Sequence, residues 1–285
     1  MTSNDWRPFG NLRPARLVKA RVQAHYAVQW LARAARAFVA AKADDSHTSL
    51  GWDDALGGFA TYALKADTRL GLRIADLTLV LLDGNSHSSD FSLNGRTDAH
   101  ARRWLGAQLS ARGMETAALD APAPYEIPAD PIMDGSPYRV DEEAGALAEL
   151  STWFNNAHCS LESVRREIVD RKLAASAVRC WPHHFDVATL TSLDEPGGEH
   201  GRSVNAGFSP GDHYYEEPYF YVSPYPYPDA AALPRLPAPG HWHTHEFTAA
   251  IAPASRIVAA RIPQRDADTF LHAAVEACIK ILAED

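Results

Sequence analysis

Residues 70–93 read LGLRIADLTLVLLDGNSHSSDFSL, and they are the strongest indication of the fold class. Apolar runs at 70–82 and 91–93 are separated by Asp83-Gly84-Asn85, a strong turn signal. Another apolar run precedes them at 59–64. Consecutive strands joined by short turns pair antiparallel, so this region predicts a meander or a hairpin.

Helical patterns lie on both sides of these strands. Residues 14–43 combine an apolar face with an arginine-rich face, and Pro14 suits a first helical turn. Thr97 or Asp98 can cap a second helix, which Gly113 would end. The first half is therefore predicted to run helix, strands, helix.

The second half repeats that order. Its predicted elements are a helix over 141–175 with a break near Asn155-Asn156, strands around 178–190, 203–208, 218–223 and 242–252, and a last helix from Pro263. The chain is thus predicted to be an α+β protein of two helix-strands-helix halves with mainly antiparallel sheet. The shared order suggests an internal architectural duplication.

Five prolines between residues 120 and 140 indicate a segment that crosses between the halves. We therefore expect an N-terminal half over 1–120, a proline-rich crossing segment over 121–140, and a C-terminal half over 141–285 that carries the histidine-rich segments. We expect all three to pack as one compact unit.

Charge and composition restrict the class of partner. The net charge is -9, from 27 basic and 36 acidic residues, which favours neither nucleic acid nor an anionic membrane surface. The amino terminus lacks a signal-peptide pattern, and no apolar run approaches the roughly 20 residues that span a bilayer. A cytoplasmic location is expected. The three cysteines have no paired spacing and predict neither disulfides nor a cysteine-based zinc site.

Two short segments contain five of the 13 histidines. They are residues 181–186, WPHHFD, and residues 241–246, HWHTHE. If 181–186 is extended, His184 and Asp186 share one face, where the carboxylate can orient the imidazole. These two residues are the catalytic candidates. The alternative interpretation is that Asp186 caps a turn while Trp181-Pro182 packs in the core.

A strand over 241–248 would place His241, His243 and His245 on one face. Neighbours two apart lie roughly 6.5–7 Å from each other, so only two of the three can share a metal ion. A divalent metal such as zinc would then need an outside ligand, for which the candidates are His183, His184, Asp186, Asp212 and His213. The predicted ligand set is His243, His245 and His183. Alternatively, the histidines line a moist cleft without metal.

Two further patterns carry candidate ligand contacts. His25 and Gln29 are four residues apart in the first helix and share a face, which points either into a buried cavity or along the solvent border. Tyrosines and prolines alternate over 214–228, with Tyr221 among them. Such a surface can stack on a flat ligand or cover the core.

These segments together resemble a bacterial family of uncharacterised proteins that is catalogued as a domain of unknown function. The resemblance covers most of the chain. The matching segments are His25-x-x-x-Gln29, the strands of 70–93, Trp181 followed by Phe185-Asp186-Val187-Ala188, Gly207-Phe208-x-Pro210-Gly211, and Phe220-Tyr221 leading to Tyr225-Pro226-Tyr227-Pro228. Some members of that family lack the paired histidines after the tryptophan and the His-x-His-x-His run. The resemblance therefore shifts emphasis to His25, Gln29 and Asp186.

The sequence leads to two hypotheses of function. The first is a cleft that binds a small molecule, with metal-assisted hydrolysis as one option. Its predicted ligand-binding residues are His25, Gln29, His183, His184, Asp186, Tyr221 and His243. The second is a non-catalytic binding or assembly module that uses the tyrosine- and proline-rich surface 214–228. A homo-oligomer is compatible with either hypothesis.

Overall fold

The computed structural model describes residues 5–84, 86–194 and 201–284. It consists of helices and two antiparallel sheets, which confirms the predicted α+β class. Asn85, part of the predicted turn, lies outside the described residues. None of the helices in the described part of the chain is both long enough and apolar enough to cross a membrane.

Contacts divide the chain into two compact units. The first unit contains Arg16–Thr152 and Cys180–Phe185. The second contains Trp153–Arg179 and Asp186–Asp285, together with the residues that end at Ala15. Within the described residues, the chain therefore contributes two separate segments to the first unit. The predicted domain bounds at 120 and 140 stay a prediction. The two compact units meet along the chain at other positions, after Thr152, Arg179 and Phe185.

The first unit is built from two helices and a five-stranded sheet. These elements are α1 (Val18–Phe38), β1 (Gly51–Asp53), β2 (Gly58–Ala60), β3 (Thr68–Arg73), β4 (Thr78–Asp83), β5 (Ser86–Ser92) and α2 (Asp98–Ala111). A third helix, α3 (Ala144–Asp170), contributes residues to both units.

The first sheet is an antiparallel meander in the order β1-β2-β3-β4-β5, which confirms the predicted meander, although the apolar run 70–82 is divided between two strands, β3 and β4. Leu70 pairs with Leu81, and Leu72 pairs with Leu79. All four leucines are buried, so this leucine-rich pairing forms much of the unit's core. Gly84 adopts a φ of 64° directly after β4, a conformation that favours glycine in a turn.

Helix α1 is shorter than the predicted 14–43. It begins after a 3-10 turn at Pro14–Leu17 and ends at Phe38, because Val39 is already extended. Local side-chain hydrogen bonds shape the following residues: Asp44 Oδ1 accepts from the Ser46 N–H at 3.1 Å. Such bonds compete with the helical pattern and favour turns.

The second unit contains the remaining strands and helices. These are β6 (Ala174–Ala175), β7 (Arg179–Trp181, divided between the units), β8 (Asp186–Ser192), β9 (Ser203–Ser209), β10 (Tyr219–Tyr225), β11 (His241–His243), β12 (Ala249–Pro253), α4 (Ala254–Val258) and α5 (Pro263–Glu284). The path through this sheet is β11-β12-β10-β9-β8-β6.

The second unit differs from prediction in its strands and in the course of α3. The single strand predicted over 242–252 is wrong, because β11 and β12 are two strands that pair antiparallel, with His243 opposite Ala249. The predicted break in α3 at Asn155-Asn156 is also wrong. The Asn155 and Asn156 side-chain amides donate to the Asp5 and Arg7 carbonyls, at 3.1 and 2.9 Å, so these N–H groups bond outside the helix while its backbone continues through both residues.

Both units contain an antiparallel run of consecutive strands, β1 to β5 in one and β8 to β10 in the other. In the second sheet, however, β12 lies between β10 and β11. An internal duplication stays a prediction. The proline-rich segment between the predicted halves contains a 3-10 turn at Pro131–Asp134 within an otherwise irregular backbone.

Candidate functional site

Residues 182–185 form a tight turn that separates β7 from β8. The backbone N–H groups of His184 and Phe185 both approach the Trp181 carbonyl, at 3.2 and 2.7 Å. Phe185 adopts a φ of 60°, which reverses the direction of the chain. The segment is therefore not extended, and the prediction that strand geometry places His184 and Asp186 on one face is wrong.

The carbonyl of Pro182 is where His25 and Gln29 meet. His25 Nε2 lies 2.9 Å from this oxygen, and Gln29 Nε2 donates to it at 2.8 Å. Because a carbonyl can only accept, His25 carries its proton on Nε2. Gln29 also accepts from the Tyr125 hydroxyl at 2.9 Å. Both helix side chains thus hold parts of the first unit in place, namely the 182–185 turn and Tyr125.

His25 is neutral near pH 7. Its pKa is lowered to about 4, chiefly by burial; the Pro182 carbonyl opposes this shift, and the charge of Arg21 adds to it. The imidazole ring stacks on Phe185 with 5.3 Å between ring centroids and 11° between the planes. These surroundings make His25 a fixed hydrogen-bond donor.

The two histidines of the turn lie together, with 4.3 Å between their ring centroids. His184 is exposed, whereas His183 is half-buried and lies 5.6 Å from the ring of Tyr125. Burial lowers the pKa of His183, and the neighbouring charge of His184 adds to the lowering. His183 therefore supports the ring of Tyr125 from the side of the turn.

A cavity of about 590 Å³ opens in the first unit beside Gln29 and Tyr125. Pockets that bind small molecules typically measure roughly 300–1,000 Å³. The wall is formed by α1, the first residue of α2 and the proline-rich segment. Its residues are Tyr26, Gln29, Arg33, Asp98, Ala123, Tyr125, Glu126, Ile127, Ala129 and Met133. We call this space the α1 cavity.

Trp30 positions two charged side chains of the α1 cavity. Its indole Nε1 donates to Asp98 Oδ1 at 3.0 Å, and the same oxygen accepts from the Tyr138 hydroxyl at 2.8 Å. The guanidinium carbon of Arg33 lies over the indole, 4.9 Å from the ring centroid. Within the described residues, Arg33 makes neither a hydrogen bond nor an ion pair. The cavity wall thus carries a carboxylate and a guanidinium that are not paired with each other.

Sequence reasoning did not name Arg33, Asp98 or Tyr125 as site residues. Helical spacing could have identified Arg33, which follows Gln29 by four positions and so shares its face. Asp98 was recognised only as a helix-capping candidate. Tyr125 lies in the proline-rich segment. Because the backbone there is irregular, no helical or strand periodicity indicates the direction of its side chain.

In the second unit, two of the predicted site residues form a pair. Asp186, the first residue of β8, accepts a hydrogen bond of 2.5 Å from Tyr221 on β10. The tyrosine ring passes over Gly207 of β9, the strand between them; a Cβ at Gly207 would lie 2.4 Å from the ring Cζ. Burial raises the pKa of Tyr221, and the charge of Asp186 raises it further, so the phenol keeps its proton and donates.

Tyr215 connects the two histidines of β11. Its hydroxyl lies 3.2 Å from His241 Nε2 and 3.0 Å from His243 Nδ1. His243 Nε2 is 2.7 Å from the carbonyl of His245, so Nε2 carries the proton and Nδ1 accepts from Tyr215. His245 lies beyond the strand, in an exposed turn where Glu246 has a φ of 66°. The predicted face with three strand histidines is therefore wrong.

The predicted metal ligands belong to different units: His183 to the first, and His243 and His245 to the second. Both ring nitrogens of His243 already form hydrogen bonds within the protein. Among residues 5–84, 86–194 and 201–284, no group of three His, Cys, Asp or Glu side chains is arranged to hold a metal ion. A zinc or other divalent metal site stays a prediction.

The tyrosine- and proline-rich surface 214–228 is divided between core and solvent. Tyr219 is buried and donates to Asp212 Oδ2 at 2.5 Å, and burial raises its pKa well above the ordinary value. Tyr225 and Tyr227 are 50% and 54% exposed. The exposed aromatic part is thus smaller than the segment's composition indicates.

Comparison of the chain with protein-family models, with curated proteins and with solved structures finds no match in any of the three. The resemblance to the bacterial family stays a prediction. The functional conclusion therefore depends on the geometry of the site alone.

Proposed function

We propose that this protein binds a small molecule in the α1 cavity. The observation that supports this proposal is the pair of charged side chains, Arg33 and Asp98, that Trp30 orients on the wall of a cavity of about 590 Å³. Binding sites typically combine an apolar lining with a few fixed polar groups. Groups that are held in place before binding lose little freedom when the ligand arrives.

The remaining lining supports the same function. Tyr26 donates its hydroxyl to the Pro128 carbonyl at 2.8 Å, and Tyr125 donates to Gln29. These bonds fix the two aromatic rings. Apolar side chains complete the wall, and they are Ala123, Ile127, Ala129 and Met133. A ligand with an apolar body and a polar end would be complementary to this surface.

Within this proposal, His25 and Gln29 support the wall. Gln29 fixes Tyr125 by a hydrogen bond, and both residues hold the turn from which His183 contacts the Tyr125 ring. Asp186, Tyr221 and His243, the other predicted ligand contacts, belong to the second unit and are not part of the proposal. Catalysis by His184 and Asp186 stays a prediction, as does a cytoplasmic location.

Binding can be tested by filling the cavity with a side chain. Ala129 lines the cavity and is exposed, so Ala129→Trp should block the space without disturbing the core. Ala232→Trp places the same side chain at an exposed position of the second unit and is the matched control. We expect saturation-transfer NMR with a library of small aromatic and aliphatic fragments to detect binders of the native protein and of the control.

Ala129→Trp should lose those binders. If the fragments bind Ala129→Trp with the same affinity as the native protein, the proposal is contradicted. It is also contradicted if no fragment binds the native protein. Circular dichroism of both variants should match that of the native protein, which separates blocking from unfolding.

A further inference from the structure

We infer that the ligand of the α1 cavity is amphoteric and of the amino-acid class, with a carboxylate that binds Arg33 and an ammonium that binds Asp98. This inference rests on the proposed function and specifies its ligand. The supporting features are the available donors of Arg33, the available oxygen Oδ2 of Asp98, and the contacts that both side chains make with Trp30.

The guanidinium of Arg33 has donors available for a ligand. It lies over the face of Trp30, which stabilises the cation by a cation–π interaction without using its N–H groups. Among the described residues no carboxylate forms an ion pair with Arg33, although its charge acts at longer range on Asp120, whose closer partner is Arg102. A guanidinium held by its face has its edge free, and that edge matches the two oxygens of a carboxylate.

Asp98 has one oxygen occupied and one available. Oδ1 accepts from both Trp30 and Tyr138, whereas Oδ2 has no hydrogen-bond partner among the described residues. Asp98 is also the first residue of α2, where the helix dipole favours a negative charge. The side chain is therefore an anchored carboxylate with an open acceptor, as recognition of an ammonium group requires.

The two charged side chains contact different parts of Trp30. Its ring face holds Arg33 and its N–H holds Asp98, and the two side chains form no ion pair. In an α-amino acid the ammonium and the carboxylate are attached to one carbon atom, so one small molecule can satisfy both. The cavity volume and the apolar lining leave room for an apolar side chain.

The charge balance of the wall distinguishes this ligand from a simple anion. Among the described residues that line the cavity, Arg33 is the one cation, whereas Asp98 and Glu126 are acidic; a second cation, Arg36, lies over the ring of Tyr125, 5.8 Å from its centroid. A ligand with only a carboxylate would satisfy Arg33 but would face two carboxylates. An ammonium on the same ligand removes that repulsion.

The test uses two matched sets of probes in isothermal titration calorimetry. The first set is L-phenylalanine, 3-phenylpropanoate, which lacks the ammonium, and 2-phenylethylamine, which lacks the carboxylate. The second set is L-leucine, 4-methylpentanoate and 3-methylbutylamine. We expect at least one amino acid to bind roughly tenfold to a hundredfold more tightly than both of its analogues, because each analogue lacks one charged contact.

Two variants assign the contacts. Arg33→Gln should weaken the binding of the amino acid and of the acid analogue, but not the binding of the amine analogue. Asp98→Asn retains an oxygen that accepts from Trp30 and Tyr138. This variant should weaken the binding of the amino acid and of the amine analogue, but not the binding of the acid analogue. The control is Arg103→Gln, which removes a positive charge at an exposed position of α2. It should leave the affinities for all probes unchanged.

Several outcomes would overturn the inference. These are equal affinity for an amino acid and its analogues, equal weakening of all probes by both variants, and no binding of any probe at millimolar concentration. If library fragments still bind and Ala129→Trp excludes them, the proposed function stands while the amino-acid class fails. If Ala129→Trp excludes nothing, the proposed function itself fails.

Discussion

The indole N–H of Trp30 donates to Asp98 Oδ1 at 3.0 Å, although 68 positions separate the two residues in the chain. Trp30 is buried in α1, and Asp98 begins α2. This bond therefore fixes the start of one helix against the middle of another, on the wall of the α1 cavity.

Replacing Trp30 by phenylalanine should remove that bond and keep an aromatic face for Arg33. We expect the free energy of unfolding to fall by about 1–3 kcal/mol, because a hydrogen bond to a charged group is lost in a largely buried position. Urea denaturation measures the change. Trp104→Phe is the control, since the half-buried indole of Trp104 stacks on Phe91 and makes no hydrogen bond within the described residues. An equal loss in both variants would show that ring size, not the bond to Asp98, causes the effect.

The stability of the protein should depend on the titration of His25. Its pKa in the folded protein is about 4, below the ordinary value of 6.5, so the unfolded chain binds more protons between these two pH values. The contribution to stability is therefore full above pH 6.5 and is lost as the pH falls towards 4. It amounts to up to about 3 kcal/mol.

His25→Gln keeps an N–H donor for Pro182 but does not titrate. Urea denaturation from pH 7 to pH 4 should therefore show a shallower loss of stability for this variant than for the native protein. His87→Gln removes an exposed histidine of the first unit and is the matched control for the loss of an imidazole. Identical pH profiles for the native protein and His25→Gln would refute the assignment.

Gly207→Ala should destabilise the second unit by about 1–3 kcal/mol, the usual cost of overpacking. The added Cβ would lie 2.4 Å from Cζ of Tyr221, a distance that requires the ring to move away from Asp186. Thermal unfolding of the single variants and of Gly207→Ala/Tyr221→Ala forms a double-mutant cycle. The loss of stability caused by alanine at position 207 should be much smaller when the Tyr221 ring is absent. If the losses caused by the two single substitutions simply add in the double variant, the added Cβ and the ring do not conflict.

The hydrogen bonds of Tyr215 fix the ring tautomer of His243. Two-bond ¹H–¹⁵N NMR spectra near neutral pH should show His243 protonated at Nε2, because its Nε2 faces the His245 carbonyl and its Nδ1 faces the Tyr215 hydroxyl. In Tyr215→Phe the Nδ1 resonance should shift, since it loses its donor. A spectrum with the proton on Nδ1 in the native protein would contradict the observed network.

The elements of this fold could be predicted because their signals are local. The apolar pattern of 70–93 identifies the meander, and Thr97 correctly marks the start of α2, where it forms a capping box with His100. Likewise, the four-residue spacing of His25 and Gln29 correctly places both on one face, and both contact the Pro182 carbonyl.

The cavity could not be predicted in the same way, because its groups are brought together by tertiary contacts. Trp30 meets Asp98 only after α1 and α2 pack, and Tyr125 reaches Gln29 from a segment without regular structure. The turn at 182–185 was missed for a different reason. It requires a positive φ at Phe185, and a bulky aromatic residue gives no sequence signal for that conformation.

The return of the chain to the first unit at Cys180–Phe185 has a consequence for dissecting this protein. A fragment that stops at Thr152 would keep His25 and Gln29 but lose the Pro182 carbonyl to which both are bound, and would also lose Cys180, the backbone partner of Leu50. No single cut yields both units intact. Fragment complementation, in which a peptide spanning 180–185 is supplied separately, would therefore be needed to rebuild the first unit in isolation.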